Sequence, residues 1–331
     1  MKCLDPTLCY TDPTGKRFFR SWSLASDTFR GYLHQLVFDC GKCIFCRKKK
    51  SVELAMRCVL HASLYAENCF LTLTYDEKKE GYHNAFEYPD IQKFKKRLRQ
   101  HIWRTEKKRV EIFNVHEYGK NGKKHWHLIL FNYQFKDREL YSRSQGHPLY
   151  TSALLSERWG KGFVTIGDVS EASAMYQAQY TQKDFKNGNV TNDKKSHSKH
   201  SGLGKPYFLK HYSQILSLGY IPFAGKKVPI PRYFLKLAHR HWSHYNEPIN
   251  FFDTNERKAL YRPFPAGEPD PLIAQRYGDY VKNKQPFHDE LVANWNDVVS
   301  QYLQTKQEPE FVLSAENALY DLKNRNTKEK F

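Results

Sequence analysis

Glu111-Ile-Phe-Asn-Val-His-Glu117, Tyr118-Gly-Lys-Asn-Gly-Lys-Lys124 and His125-Trp-His-Leu-Ile-Leu-Phe131 follow one another without a break, and this stretch decides the fold. Its flanks are rich in β-branched and aromatic residues, and its middle carries an Asn-Gly pair, a strong local signal for a hairpin. The reading is two antiparallel strands. Strand side chains alternate with period 2, so His125 and His127 share one face and Trp126 takes the other. Glu117, near the end of the first strand, reaches the histidine face across the turn, while His116 points away. A His-x-His pair alone is more often structural than metal-binding; the added carboxylate raises the signal. Two imidazoles and a carboxylate can hold Mg²⁺ or Mn²⁺ and leave positions for water and phosphate oxygens.

Working outward, Phe70-Leu-Thr-Leu-Thr-Tyr75 alternates as a half-buried strand. Helices are expected over 51–65 and 90–104, the second basic, with Ile91, Phe94, Leu98 and Ile102 facing inward. A helix over 153–159 precedes a strand over 163–169. Next comes a helix starting near Ser173 that carries Tyr176-x-x-x-Tyr180-x-x-Lys183. This order predicts an α+β fold with an antiparallel sheet of split βαβ type. At ~100° per residue, Tyr176, Tyr180 and Lys183 fall within about 60° of one another. Tyrosines four apart more often pack than react, but the flanking Gln177, Gln179, Thr181 and Gln182 suit a face opening onto a cleft. A phenol has a pKa of about 10, so attack needs electrostatic help, which Lys183 and a metal would give. Metal, tyrosine and lysine together point to phosphodiester cleavage through a covalent intermediate, which conserves the bond energy for rejoining.

The composition agrees. The chain has 331 residues, with Lys plus Arg 53 against Asp plus Glu 35, a net charge of +18. Such a surplus favours a polyanionic partner, and 15% aromatic residues supply stacking surfaces for unpaired bases. No apolar run approaches the ~18 residues of a membrane span, and no secretory signal is evident, so no membrane partner is expected and the compartment reads as cytosolic.

Seven cysteines are present, and Cys40, Cys43 and Cys46 bunch together ahead of Arg47-Lys-Lys-Lys50. The spacing reads as structural Zn²⁺ or as reduced thiols, with Cys3 or Cys9 available as a fourth ligand. The charge run either contacts phosphates, Arg47 foremost, or is a solvated face. Residues 1–50 read as a loop-rich Cys module, 51–185 as the catalytic domain and 186–205 as an exposed loop. Residues 206–331 read as a mainly helical C-terminal extension, with helices near 231–244 and 289–304. Ser201-Gly-Leu-Gly-Lys-Pro206 imitates a phosphate loop, but Pro206 replaces the needed Ser/Thr and Lys199 the first glycine. Unwinding is therefore expected from a host helicase. His239-Arg-His241-Trp-Ser-His244 reads as a surface or DNA-contacting patch.

Together these motifs resemble the HUH endonucleases, the metal- and tyrosine-dependent nickases that start rolling-circle replication. Phe70–Asp76 looks like their first motif, His125-Trp126-His127 their second and the two-tyrosine helix their third. The Cys40–Arg47 pattern and Ser201–Tyr207 narrow the likeness to replication initiators of the gokushovirus branch of the Microviridae. The likeness covers roughly residues 1–210, and Lys124 stands where that family commonly has proline. It implies that Thr72 and Thr74 contact DNA and that Cys3, within a Cys-x-x-Pro start, is the preferred fourth thiolate. It also implies nicking and rejoining of single-stranded DNA at a viral origin in the host cytoplasm, alongside host replication machinery. In this family's terms Tyr180 is the first nucleophile. The rival readings are a non-catalytic, zinc-stabilised DNA-binding regulator and an HUH transposase or relaxase.

Overall fold

The computed structural model describes residues 3, 7–11, 17–21, 36–78, 87–118, 123–144, 146–183, 202–223, 225–246 and 269–284. The chain divides into two compact units, Met1–Lys50 with Gly278–Phe331, and Ser51–Tyr277. In the first, β1 (Thr7–Thr11) pairs antiparallel with β2 (Arg17–Ser21) and β3 (Leu36–Phe38), in the order β2-β1-β3. The sequence reading of a loop-rich module missed this small sheet. Its strands are three to five residues long and lack a clean polar–apolar alternation, so period 2 has little to act on.

The second unit is built on a six-stranded antiparallel sheet in the order β5-β6-β4-β9-β8-β7. Its strands are β4 (Asn68–Thr74), β5 (Glu111–Tyr118), β6 (Lys124–Phe131), β7 (Arg138–Ser144), β8 (His147–Ser152) and β9 (Val164–Gly167). The expected pairing of β5 with β6 is present, with Glu117 opposite His125; the Asn-Gly tip lies outside the described residues. Strand β4 shows why one strand serves two purposes. Cys69, Leu71 and Leu73 are fully buried, while Phe70, Thr72 and Thr74 are half-exposed on the other face.

Helices cover both faces. Helix α1 (Ile44–Ala62) begins before the sequence reading placed it, and α2 (Tyr88–Glu106) starts with proline in its first turn and stops at left-handed Lys107. Ile91, Phe94, Leu98 and Ile102 of α2 meet Leu71, Leu73, Trp126 and Leu128, each burial contributing about 1.5–3 kcal/mol. On the same face, α3 (Ala153–Trp159) adds Leu155 and Trp159. Its start is capped by Ser152, whose Oγ accepts from the Leu155 N–H at 3.0 Å. The opposite face carries α1 and α4 (Glu171–Lys183), which meet the sheet with small residues, Ala55, Cys58, Ala62, Ala174 and Ala178.

The β7–β8 hairpin escaped the sequence reading because Arg, Glu, Ser, His and Pro dominate it. Beyond α4 lie α5 (Lys205–Leu218), the short β10–β11 hairpin (Ile221–Phe223, Lys226–Val228), α6 (Arg232–Asn246) and a helix over 271–284, α7. Two expectations are corrected here. Residues 202–204, read as the end of an exposed loop, are largely enclosed: Leu203 is buried in the core beside α1 and α4, and Gly204 donates its N–H to His61 Nδ1 at 3.2 Å. His241, read as part of a surface patch, is buried, and its Nδ1 accepts the Asp270 N–H at 3.0 Å. Residues 186–201 and the helix expected over 289–304 lie outside the described residues.

Candidate active site

Strand register assembles the site. Thr74 lies opposite His125 and Thr72 opposite His127 on the β4 side, while Glu117 lies opposite His125 on the β5 side. All five side chains therefore share the face that carries α1 and α4. Glu117 Oε2 is 2.9 Å from His127 Nε2. Thr72 Oγ1 bonds His127 Nδ1 at 3.1 Å and Thr74 Oγ1 bonds His125 Nδ1 at 3.0 Å. The two threonines, expected as DNA contacts, are instead engaged with the rings, fixing their orientation and directing Nε2 outward. The sequence held the signal: Thr72-x-Thr74 repeats the period of His125-x-His127 on a neighbouring strand. His116 points the other way, with its ring centroid 5.5 Å from that of Trp126.

Helix α4 brings the phenol. Gln177 is buried and donates from Nε2 to the Phe113 carbonyl at 2.9 Å, tying the helix to strand β5. Gln177 thus anchors the helix; it does not line an open cleft. One residue earlier, half-exposed Tyr176 donates its hydroxyl to Glu117 Oε2 at 3.3 Å. Its ring stands edge-on to His127, centroids 5.3 Å apart, with Phe70 against both. Tyr180 and Lys183 occupy the last turns of α4; their side chains lie outside the described residues.

A divalent ion fits this donor set in part as it stands. Two adjacent ligands of an octahedral ion with ~2.1 Å bonds are about 3 Å apart, close to the Glu117–His127 separation of 2.9 Å. His125 stands further back: its ring lies 6.2 Å from that of His127, and the three donors do not all approach within 4.8 Å of one another. A turn of the His125 ring would bring it in. Burial, reinforced by neighbouring His127, lowers the His125 pKa, which favours the neutral imidazole that ligation requires.

Cys3, Cys40, Cys43 and Cys46 form a second constellation, in the first unit, with all four sulfurs within 4.8 Å of one another. Cys40 and Cys46 Sγ are 3.9 Å apart, Cys43 and Cys3 Sγ 4.0 Å. A tetrahedral ion with Zn–S bonds of about 2.3 Å has edges of about 3.8 Å. The Lys42 and Cys43 N–H groups point at Cys40 Sγ, and the Cys40 N–H at Cys3 Sγ, at 3.2–3.4 Å. Cys9 sits buried in β1, apart from this group. Of the adjoining charge run, Arg47 is half-buried, whereas Lys49 binds Asp39 at 2.6 Å and Lys50 the Gly41 carbonyl at 2.8 Å. Those two lysines brace the cysteine loop, a role the charge run alone did not suggest.

Among the described residues, no helix is long and apolar enough to cross a membrane. The family model for the replication-associated protein ORF2 matches residues 68–185, from the start of β4 to just past α4. The chain is 33% identical over 233 residues to replication-associated protein ORF4 of Chlamydia phage 1, covering 67% of this chain and 57% of that protein's length. It is 30% identical over 275 residues to replication-associated protein VP4 of Bdellovibrio phage phiMH2K, covering 78% and 82%. It is 31% identical over 264 residues to replication-associated protein ORF2 of Spiroplasma virus 4, covering 73% and 82%. No solved structure matches.

Proposed function

This chain belongs to the replication-associated protein family of the microviruses, and from that premise we propose that it nicks single-stranded DNA at the viral origin through a 5′-phosphotyrosine and rejoins the ends. The observation that carries this reading is the convergence of Tyr176 and His127 on one oxygen of Glu117. The reading also takes the sheet and its two-sided helical cover as an HUH core. A divalent ion held by Glu117, His125 and His127 would supply the Lewis acid for the scissile phosphate.

The chain's own groups do the rest. The phenol oxygen attacks phosphorus, forming a tyrosyl–phosphate bond while the bond to O3′ breaks. The phenol proton has an acceptor in Glu117 Oε2, and the leaving O3′ takes a proton from solvent. In reverse, a 3′-hydroxyl attacks the phosphotyrosine and restores the diester, so bonds balance and no ATP is consumed. Tyr176 and Tyr180 lie one helical turn apart on α4, so one can cut while the other holds its strand. Lys183 is assigned to the charge that develops at phosphorus, and a host helicase to unwinding.

The test is a labelled origin oligonucleotide with Mn²⁺, resolved on a denaturing gel. A protein–DNA adduct is expected from the native chain and none from Tyr176→Phe/Tyr180→Phe. An adduct that persists in the double variant overturns the reading. No adduct from the native chain favours a DNA-binding regulator. The four-cysteine group is assigned a structural Zn²⁺, supported by its sulfur spacing and by the N–H groups aimed at the sulfurs.

A further inference from the structure

The site face of the sheet continues beyond the metal ligands. Thr74 is followed across the sheet by Phe163, whose carbonyl accepts the Thr74 N–H at 2.8 Å. Val164 is buried on the opposite face, so alternation turns Phe163 to the site face. Two strand spacings of about 4.8 Å put it roughly 10 Å from His125. Phe163 is 47% exposed, and against it packs Tyr141, 57% exposed, with ring centroids 5.0 Å apart.

Tyr141 reaches this position through a break in pairing. Leu140 pairs with Tyr150 and Ser142 with Leu149, so Tyr141 is the extra residue of a β-bulge. Bulges re-aim side chains at sheet edges and beside active sites. Without it, the period of 2 would not set Tyr141 and Ser142 together toward the face of Phe163. Among the described residues, the helix packed on the site face here, α4, lies over β5 and β6 and not over β7–β9. Two large exposed rings on an edge hairpin are costly unless something covers them.

We propose that Tyr141 and Phe163 form a stacking platform for unpaired bases of the DNA strand whose phosphate is held at Glu117, His125 and His127. This deepens the nickase reading and rests on it for the identity of the strand. Three observations select single-stranded nucleic acid as the occupant. The pair is continuous with the candidate active site through Thr74 and His125. The chain carries a surplus of 18 positive charges. The face is aromatic and polar, with Thr165 and Thr151 beside the rings, where an apolar protein interface would present aliphatic side chains. Stacking is tolerant of sequence, so the platform gives grip and direction next to the nick and leaves sequence choice to other contacts.

The test compares full-length native chain, Tyr141→Ala/Phe163→Ala and the ring-preserving Tyr141→Phe/Phe163→Tyr. Binding of a fluorescent single-stranded oligonucleotide and of its duplex is measured by anisotropy at one salt concentration, without added Mg²⁺ or Mn²⁺. The double alanine variant should bind the single strand about 5- to 100-fold more weakly. Its duplex affinity should hold, and the ring-preserving variant should bind like the native chain. Unchanged single-strand affinity in the double alanine variant overturns the proposal. So does a self-association, seen by sedimentation, that the double alanine variant abolishes, because the rings then meet a second copy. Nicking is not the readout, so a native chain that binds through these rings but forms no adduct removes only the nickase reading. An adduct-forming native chain with ring-independent binding removes only the platform.

Discussion

Thr72 is the residue whose contribution is easiest to isolate. Its hydroxyl touches His127 Nδ1, on the ring edge away from Glu117. Partners of this kind orient a ligating imidazole, and their loss typically costs 10–100-fold in metal affinity or activity. Thr72→Val preserves shape and β propensity. It should lower nicking by about that factor, with partial recovery at higher Mn²⁺, measured as adduct yield against metal concentration; a flat response at native level would deny the threonine its role. Lys95 offers a second residue-scale test on the opposite face. Its Nζ donates to Asn114 Oδ1 at 2.8 Å, and burial lowers its pKa to about 8 from 10.5. The folded chain therefore binds fewer protons at this site than the unfolded chain between those values, so the Lys95 contribution to stability rises with pH from about 8 to about 10.5. Lys95→Met should remove that rise, read as the change in urea midpoint between about pH 7.5 and 9.5 in variant and native protein. Equal changes in both would show that Lys95 does not titrate in this interval.

At the scale of elements, the most sensitive contact is the 202–204 turn against α1 and α6. Gly204 has φ +79, and a Cβ there would stand 2.9 Å from Phe234 Cζ and 3.4 Å from the Arg57 carbonyl. Arg57 Nε donates to the Leu203 carbonyl while its guanidinium lies 4.1 Å over the Tyr233 ring. Gly204→Ala should thus destabilise the second unit by about 2 kcal/mol or more, from backbone handedness and overpacking together. Chemical denaturation would measure it, and a loss under about 0.5 kcal/mol would mean the turn yields. What the sequence disclosed follows the strength of each periodic signal. Strands β4, β5 and β6 and helices α2 and α3 were legible because alternation or an i, i+3, i+7 apolar stripe marked them. The β7–β8 hairpin was not, since an edge strand with two wet faces has no pattern to read. In the site, the shared face of Glu117, His125 and His127 followed from period 2. The backward placement of His125 and the anchoring by Gln177 did not, because rotamers and helix docking are decided by tertiary packing.

For the whole molecule, the cysteine group makes a testable demand. If Zn²⁺ closes it, purified protein contains about one zinc per chain, and a strong chelator costs the first unit folding free energy. Cys43→Ser should reproduce that loss, visible as faster amide exchange over 36–50; zinc-free protein with native exchange there would leave four reduced thiols. The sheet of the second unit has a consequence for descent. Along β4 and β6, odd and even positions serve different masters: one set closes the interior with Leu71, Leu73, Trp126 and Leu128, the other arrays Thr72, Thr74, His125 and His127. A slip of one residue in either strand exchanges the two sets completely. Insertions or deletions inside these strands are thus self-rejecting, because the damaged genome makes a chain that cannot fold and so never offers a misaligned cutting site to phage DNA. Lineages can drift by substitution and by loop length, and the register of the cutting face is inherited intact as a by-product of keeping the interior dry.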